Sequence, residues 1–205
     1  TRGMMRAGAT RLRTSTRDEP MTTKLTAWAP AADAADALPL LAVDRENLAA
    51  VAAGFGEAAT RWCAANAFAG ENGRFLALPG ADGSAQAMLA GCDRRDALYA
   101  FATLPGRLPP GRYALDARGL ALDAGDVALG WALGAYAFTR YRKSARAPAE
   151  LAVGADIEQR MRPLAEAIYQ VRDLINTPTE DMGPAELAGA LRALAERHGA
   201  DYREW

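Results

Sequence analysis

Up to about residue 146 the chain alternates short apolar runs with stretches whose apolar positions recur at helical spacing. The run LPLLAV, residues 38–43, predicts a buried strand because it is short and continuously apolar. One helix is predicted after Asp44, and a second is predicted around Trp62 and Cys63. The chain is therefore expected to begin its core with a strand that helices follow.

The next apolar runs predict a β-hairpin. FLAL at 75–78 and AQAML at 85–89 read as strands, and ADGS at 81–84 between them has the composition of a tight turn. A helix is predicted over 93–104, and an extended piece over 112–115. Strands that alternate with helices in this way predict an α/β sandwich with a mixed sheet.

A helix is also predicted over residues 126–142, with Leu129, Leu133, Tyr136 and Arg140 along one side. Gly130 and Gly134 are one helical turn apart, so a neighbouring element could approach that face closely. The simplest interpretation of this helix is that it packs in the core, and its aromatic residues need not touch a ligand.

The most regular periodicity follows a short linker at 146–148. Its apolar positions step by three and four residues, and they are Ile157, Met161, Leu164, Ile168, Val171 and Ile175. This spacing predicts one apolar stripe along about five helical turns. A coiled-coil dimer fits the pattern less well because it spans fewer than about three heptads. A further helix is predicted from Pro184 to His198.

Composition excludes several classes of function. Half of the residues are hydrophobic, 24% are charged, and the formal net charge is −1. This balance gives no electrostatic basis for a nucleic-acid or acidic-membrane partner. The longest apolar run, near residues 131–138, is far shorter than the ~18 residues that a membrane span requires.

The residue types that most often carry chemistry are sparse. Cys63 and Cys92 are the two cysteines and His198 is the single histidine, which makes neither a disulfide framework nor a zinc site. Both cysteines are expected to be inert core thiols, and His198 is expected to stand at the end of a helix beside Gly199. Sparse cysteine is typical of a reducing cytosol.

Residues 1–20 differ from the remainder. Arginine recurs among threonine and serine without an apolar segment, so these residues are expected to be disordered or a spurious N-terminal extension. Met21 is the expected natural start.

Two segments resemble the leucyl aminopeptidase (cytosol aminopeptidase) family. VRDLINTPTEDMGPAEL at 171–187 is similar to the beginning of that family's catalytic domain. LGWALGAY at 129–136 and FTRYR at 138–142 are similar to the last helix of its N-terminal domain. The resemblance extends over residues 21–205.

The resemblance implies a domain organisation. Residues 21–147 would form the N-terminal domain, an α/β sandwich similar to macro domains with a mixed sheet. Residues 148–177 would be a linker and connecting helix, and residues 178–205 the start of an incomplete α/β catalytic domain. The apolar stripe would then pack against the catalytic domain or a neighbouring subunit, so part of it should be exposed in this chain and promote association.

The resemblance also implies an activity. The family members are cytoplasmic metallopeptidases, usually hexameric, that remove N-terminal residues, often leucine, from peptides. They use two divalent metal ions, zinc or manganese, to activate water and polarise the scissile carbonyl. The full-length protein would be such an enzyme, whereas this chain alone is expected to be inactive.

No catalytic, cofactor-binding or metal-binding residue is assigned within the chain. The family's motifs would lie beyond residue 205, and Asp173, Glu180 and Asp181 are too few to hold two metals; they are expected to cap helices or face water. The alternative function is a non-catalytic macro-like binding or oligomerisation module. A nucleotide ligand is disfavoured because the sequence has no glycine-rich phosphate loop.

Overall fold

A six-stranded mixed sheet organises the protein, with the strand order β1-β6-β5-β2-β4-β3. The computed structural model describes residues 22–142 and 146–204. Its strands are β1 Trp28–Pro30, β2 Leu38–Val43, β3 Phe75–Pro79, β4 Ala85–Gly91, β5 Arg112–Asp116 and β6 Glu150–Val153. The β3–β4 pair is antiparallel and the other pairs are parallel. The expectation for residues 1–20 lies outside the described residues.

Six α-helices and one 3-10 helix, Ala31–Asp36, accompany the sheet within the described residues. The α-helices are α1 Leu48–Gly54, α2 Glu57–Ala65, α3 Ala97–Ala102, α4 Ala124–Ala135, α5 Ala155–Asn176 and α6 Pro184–His198. Within the ranges described, none is long and apolar enough to cross a membrane. The predicted α/β sandwich with a mixed sheet is therefore confirmed.

Two hydrophobic cores lie on opposite faces of the sheet. Side chains alternate across a strand, so Leu40 and Ala42 of β2 join a core with α3 and α4, whereas Leu41 and Val43 join one with α1 and α2. The central strand β2 is thus buried on both faces, as its continuous apolar run predicted.

The β-hairpin is also as predicted. Gly80 N–H donates to the carbonyl of Ser84 across the turn, and β3 pairs with β4 from Phe75 opposite Ala90. Asp82 accepts hydrogen bonds from the backbone and hydroxyl of Ser84, which stabilises the turn locally.

The helix predicted over 126–142 is shorter than expected. α4 begins after Asp123, whose side chain caps Asp126 N–H, and it ends at Ala135. Tyr136 leaves the helical region with ψ at 128°, and its hydroxyl donates to Asp173. The prediction that Arg140 belongs to this helix is wrong, because a tertiary contact redirects the chain at Tyr136.

A strand also lies within the segment that was predicted as linker and connecting helix. Glu150–Val153 forms β6, which pairs with both β5 and β1. Leu151 and Val153 are buried while their neighbours are half-buried. Four residues carry too little periodicity to predict a strand, and its pairing partners are distant in the chain.

The apolar stripe of α5 is divided between core and surface. Met161 and Ile168 pack with Ile157 against the core, whereas Val171 and Ile175 are exposed, as is Leu164. The fully buried positions of α5 are instead Ala165, Tyr169 and Asp173. The expected exposure of part of the stripe is confirmed, but the helix buries a face rotated away from it.

Candidate functional site

A buried carboxylate joins three separate segments of the chain. Asp173, near the end of α5, is only 2% exposed. Its carboxylate accepts hydrogen bonds from the backbone N–H of Thr23, from the Thr23 hydroxyl at 2.7 Å and from the Tyr136 hydroxyl at 2.8 Å. We call Thr23, Tyr136 and Asp173, with Asn176 and Thr177, the Asp173 junction.

The backbone of the same aspartate stabilises the end of α5. Its carbonyl oxygen accepts from both the N–H of Thr177, at 3.0 Å, and the Thr177 hydroxyl, at 2.7 Å. Thr177 takes an extended conformation before Pro178, as a residue that precedes proline favours. Asn176 donates a 3.0 Å hydrogen bond to the Tyr136 hydroxyl, so the helix end is bound on two sides.

Aromatic packing surrounds the junction. Tyr136 meets Tyr169 edge-on at 5.0 Å between ring centroids, and the Arg172 guanidinium lies 5.2 Å from the Tyr136 ring centroid. Burial is the largest of the causes that raise the pKa of Tyr136, and the neighbouring Asp173 carboxylate adds to it. Tyr136 is therefore held as a neutral hydrogen-bond donor.

Two clefts flank the junction. The first, of about 620 Å³, lies between the incoming chain at Thr22–Thr26 and the segment after α4. The second, of about 560 Å³, lies between Gln170 and Leu174 of α5 and the small residues of α6, such as Gly189. Both clefts are open and polar in part, and Thr22 and Arg140 line both of them.

The three acids considered from the sequence do not converge on a common site. Asp173 is buried in the junction, Glu180 is exposed in the loop before α6, and Asp181 accepts a 2.6 Å hydrogen bond from the Tyr141 hydroxyl. The part of the chain that the structure describes holds no group of three or more His, Cys, Asp or Glu side chains that could bind a metal ion.

The remaining candidates occupy structural positions. Cys63 and Cys92 are buried, and burial, with nearby carboxylates as a smaller cause, raises the pKa of the Cys92 thiol to about 11. Cys92 is therefore protonated at neutral pH and is a poor nucleophile or ligand. His198 is the last residue of α6, and the left-handed Gly199 follows it as a helix cap.

A separate polar cleft lies at the carboxyl ends of β2 and β4, the edge where open α/β sheets usually bind ligands. Arg94 donates to the carboxylates of both Asp44 and Glu46 there. Burial alone would raise the pKa of Asp44, but hydrogen bonds from the N–H groups of Asn47 and Glu46, together with Arg94, lower it below its ordinary value. Arg94 therefore forms ion pairs with both Asp44 and Glu46 in this cleft.

The partners that make Asp173 a junction are not predictable from the sequence. Thr23 lies 150 positions away and Tyr136 lies 37 positions away, so no local pattern connects them. The one available signal was the aspartate itself, because it interrupts the apolar end of α5 and would be costly to bury without donors.

Comparisons with known proteins bear on this arrangement. A family model described as "M17 aminopeptidase, N-terminal domain" matches residues 38–154. A probable cytosol aminopeptidase of Leifsonia xyli is 33% identical over an alignment that covers 91% of this chain and 41% of the relative. One of Nocardia farcinica is 37% identical over an alignment of length 94 that covers 39% of this chain and 19% of the relative. This chain therefore spans about two-fifths of the length of the Leifsonia relative.

Solved structures agree with these matches. The crystal structure of a cytosol aminopeptidase from Coxiella burnetii has a TM-score of 0.72 and 30% identity, and covers 79% of this chain and 36% of that protein. The tomato leucine aminopeptidase K354E mutant matches at a TM-score of 0.55 and 18% identity, which supports the fold alone; it covers 87% of this chain and 42% of that protein. The chain belongs to the M17, or leucyl, aminopeptidase family and carries the N-terminal portion of such a protein.

Proposed function

We propose that this chain is the N-terminal portion of a longer leucyl aminopeptidase that hydrolyses N-terminal amino acids from peptides. One observation carries the proposal: the Leifsonia xyli relative, named a probable cytosol aminopeptidase, aligns with 91% of the chain but is far longer. The named relatives also favour this role over that of a macro-like binding or oligomerisation module.

The proposed domains follow the strand pairings. The N-terminal domain would run to Gly154, because β6 belongs to the sheet and the family match ends at residue 154. α5 would be the connecting helix, and residues 178–205 would begin the peptidase domain. Relative to the sequence prediction, the first boundary moves from 147 to 154.

The full-length protein would use two divalent metal ions, zinc or manganese. A related structure of about 24% identity, the bottromycin maturation enzyme BotP, was solved in complex with Mn. The described residues of this chain do not fit such a centre, because they include no group of three or more potential metal ligands. The ions would activate the attacking water, and the remainder of the protein would have to hold them.

This chain's own contribution would be structural support for the peptidase domain. Ile175 is 75% exposed at the end of α5, and no residue of α6 is buried, although Leu187 and Leu191 are apolar. Exposed apolar surface of this kind is typical of an interface. In the full-length protein, a cytoplasmic hexamer by family resemblance, the peptidase domain or a neighbouring subunit would cover it.

A chimeric enzyme tests the proposal. Residues 22–204 would replace the matching portion of the Leifsonia xyli relative, and leucine release from a leucyl amide would be measured with added manganese or zinc. We expect activity that a chelator abolishes. The 205-residue chain alone, with the same metals, is the matched control and should release no leucine. An inactive but folded chimera, or an active isolated chain, would contradict the proposal.

A further inference from the structure

The position of α6 depends on few contacts of its own. None of its residues is buried, and the cleft of about 560 Å³ lies between its small residues and α5. Its path must therefore be set largely by the loop at 177–183, which connects it to α5. Asn176, the residue before that loop, and Asp181 within it are hydrogen-bonded to Tyr136 and to Tyr141, at and after the end of α4.

At the beginning of the loop, Thr177 and Asn176 are bound to Asp173 and Tyr136. Further along, Asp181 accepts the 2.6 Å hydrogen bond from Tyr141. Of these groups, the Asp173 carboxylate is the most deeply buried, and it is also bound to the incoming chain at Thr23. One side chain therefore links the start of the described chain, the segment after α4 and the exit from α5.

A carboxylate suits this position because it accepts several hydrogen bonds at once. One Asp173 oxygen accepts from the hydroxyls of Thr23 and Tyr136, and the other accepts from the Thr23 N–H. A buried carboxylate that loses its donors is strongly destabilised, so the three segments are held together or released together.

We propose that Asp173 is a positioning residue whose buried carboxylate, bound by Thr23 and Tyr136, sets the path of residues 177–183 and thereby the placement of α6 against the N-terminal domain. The proposal rests on the proposed function to the extent that α6 begins the peptidase domain. Asp173 would then act on catalysis through the orientation of that domain and would touch neither metal nor substrate.

Amide hydrogen exchange of the 205-residue chain tests the placement without reference to activity. Asp173→Asn replaces an acceptor oxygen by a donor, and we expect exchange over residues 176–198 to accelerate about tenfold or more, in line with loss of hydrogen bonds to a buried charge. Exchange in β2 and β4 should change much less. Asp156→Asn, at the exposed beginning of α5, is the matched control and should leave the pattern unchanged.

Two milder variants keep the test informative if Asp173→Asn does not fold. Tyr136→Phe and Thr23→Val each remove one hydroxyl donor, and each should accelerate exchange over the same residues. Combined with Asp173→Asn in a folded protein, Thr23→Val should add little, because the Thr23 hydroxyl donates to that same carboxylate. Tyr136→Phe is left out of this comparison, because the Tyr136 hydroxyl also accepts a hydrogen bond from Asn176. The proposal would be overturned by equal acceleration in β2 and in residues 176–198, or by no acceleration in residues 176–198. Full additivity of Thr23→Val with Asp173→Asn would also overturn it.

The chimera supplies the catalytic readout. If it is active with Asp173, then Asp173→Asn should lower kcat about tenfold, because small misplacements remote from the chemistry can cost up to ~100-fold in rate. An unchanged kcat would overturn the positioning role. An inactive chimera with Asp173 intact would contradict the proposed function instead, while the exchange experiment would still decide the placement of α6.

Discussion

Gly130 of α4 lies against the backbone of Leu98 in α3, so closely that a β-carbon on Gly130 would be 2.1 Å from the Leu98 carbonyl oxygen. One turn later Gly134 meets Ala102 in the same way, at 1.8 Å. The two glycines let two helices pack backbone to backbone on one face of the sheet. A side chain at either position would force the helices apart.

Gly130→Ala should therefore destabilise the protein. Alanine is the better helix former by about 1 kcal/mol, but overpacking a core commonly costs about 1–3 kcal/mol, and here the obstructing atoms are backbone. We expect the free energy of unfolding, measured with urea, to fall by about 2 kcal/mol. Gly189→Ala in α6 is the control, because nothing lies within 4 Å of its β-carbon. An equal effect of the two substitutions would contradict this explanation.

The glycine spacing predicted a close approach to α4, and the structure confirms it, but the sequence could not identify α3 as the partner. The same limit applies to the sheet. β2 could be predicted because six apolar residues suffice to mark a buried strand, whereas β1 and β6 have three and four residues and depend on pairing with each other. The role of Asp173 was not predictable because its burial depends on donors from two distant segments.

The division of the α5 stripe leads to a prediction about association. Val171 and Ile175 are exposed, so Val171→Glu with Ile175→Glu should reduce self-association of the chain and leave its melting temperature nearly unchanged. Met161 packs against the core, so Met161→Glu should lower the melting temperature markedly. Analytical ultracentrifugation and thermal unfolding would measure the two effects. Undiminished association of the double variant would show that another surface is responsible.

Asp44 should contribute to the acid sensitivity of the fold. Its pKa is lowered in the folded protein, so the stability that it contributes is present above its unfolded pKa of about 4 and is lost as the pH falls through the lower folded value. Asp44→Asn should lower the free energy of unfolding at pH 7 by about 1 kcal/mol and flatten its decline below about pH 4.

Urea unfolding between pH 7 and pH 3 would measure this dependence. Asp36→Asn serves as the comparison, because Asp36 is an exposed aspartate and the ion pairs of Arg94 are with Asp44 and Glu46. If Asp44→Asn kept the full loss of stability at low pH, the Asp44 carboxylate would not be its source.

Two tryptophans make the same kind of hydrogen bond in different surroundings, and burial should decide what each contributes. The indole N–H of Trp131 donates to the Ala149 carbonyl at 3.0 Å, and that of Trp62 donates to the Ala77 carbonyl at 2.9 Å. Trp131 is fully buried, whereas Trp62 is 42% exposed. The Trp131 contact also connects α4 to the residue before β6, which is the last strand along the chain. This strand is thereby held against the core.

Trp131→Phe should therefore lower the free energy of unfolding by about 2–4 kcal/mol, because it leaves a buried carbonyl without its donor and creates a cavity. Trp62→Phe should cost less than about 1 kcal/mol, since water can replace the lost donor at the surface. Urea denaturation followed by circular dichroism measures both variants, because it does not depend on tryptophan fluorescence. Comparable losses for the two would mean that the indole hydrogen bond itself, rather than its burial, dominates the stability of this contact.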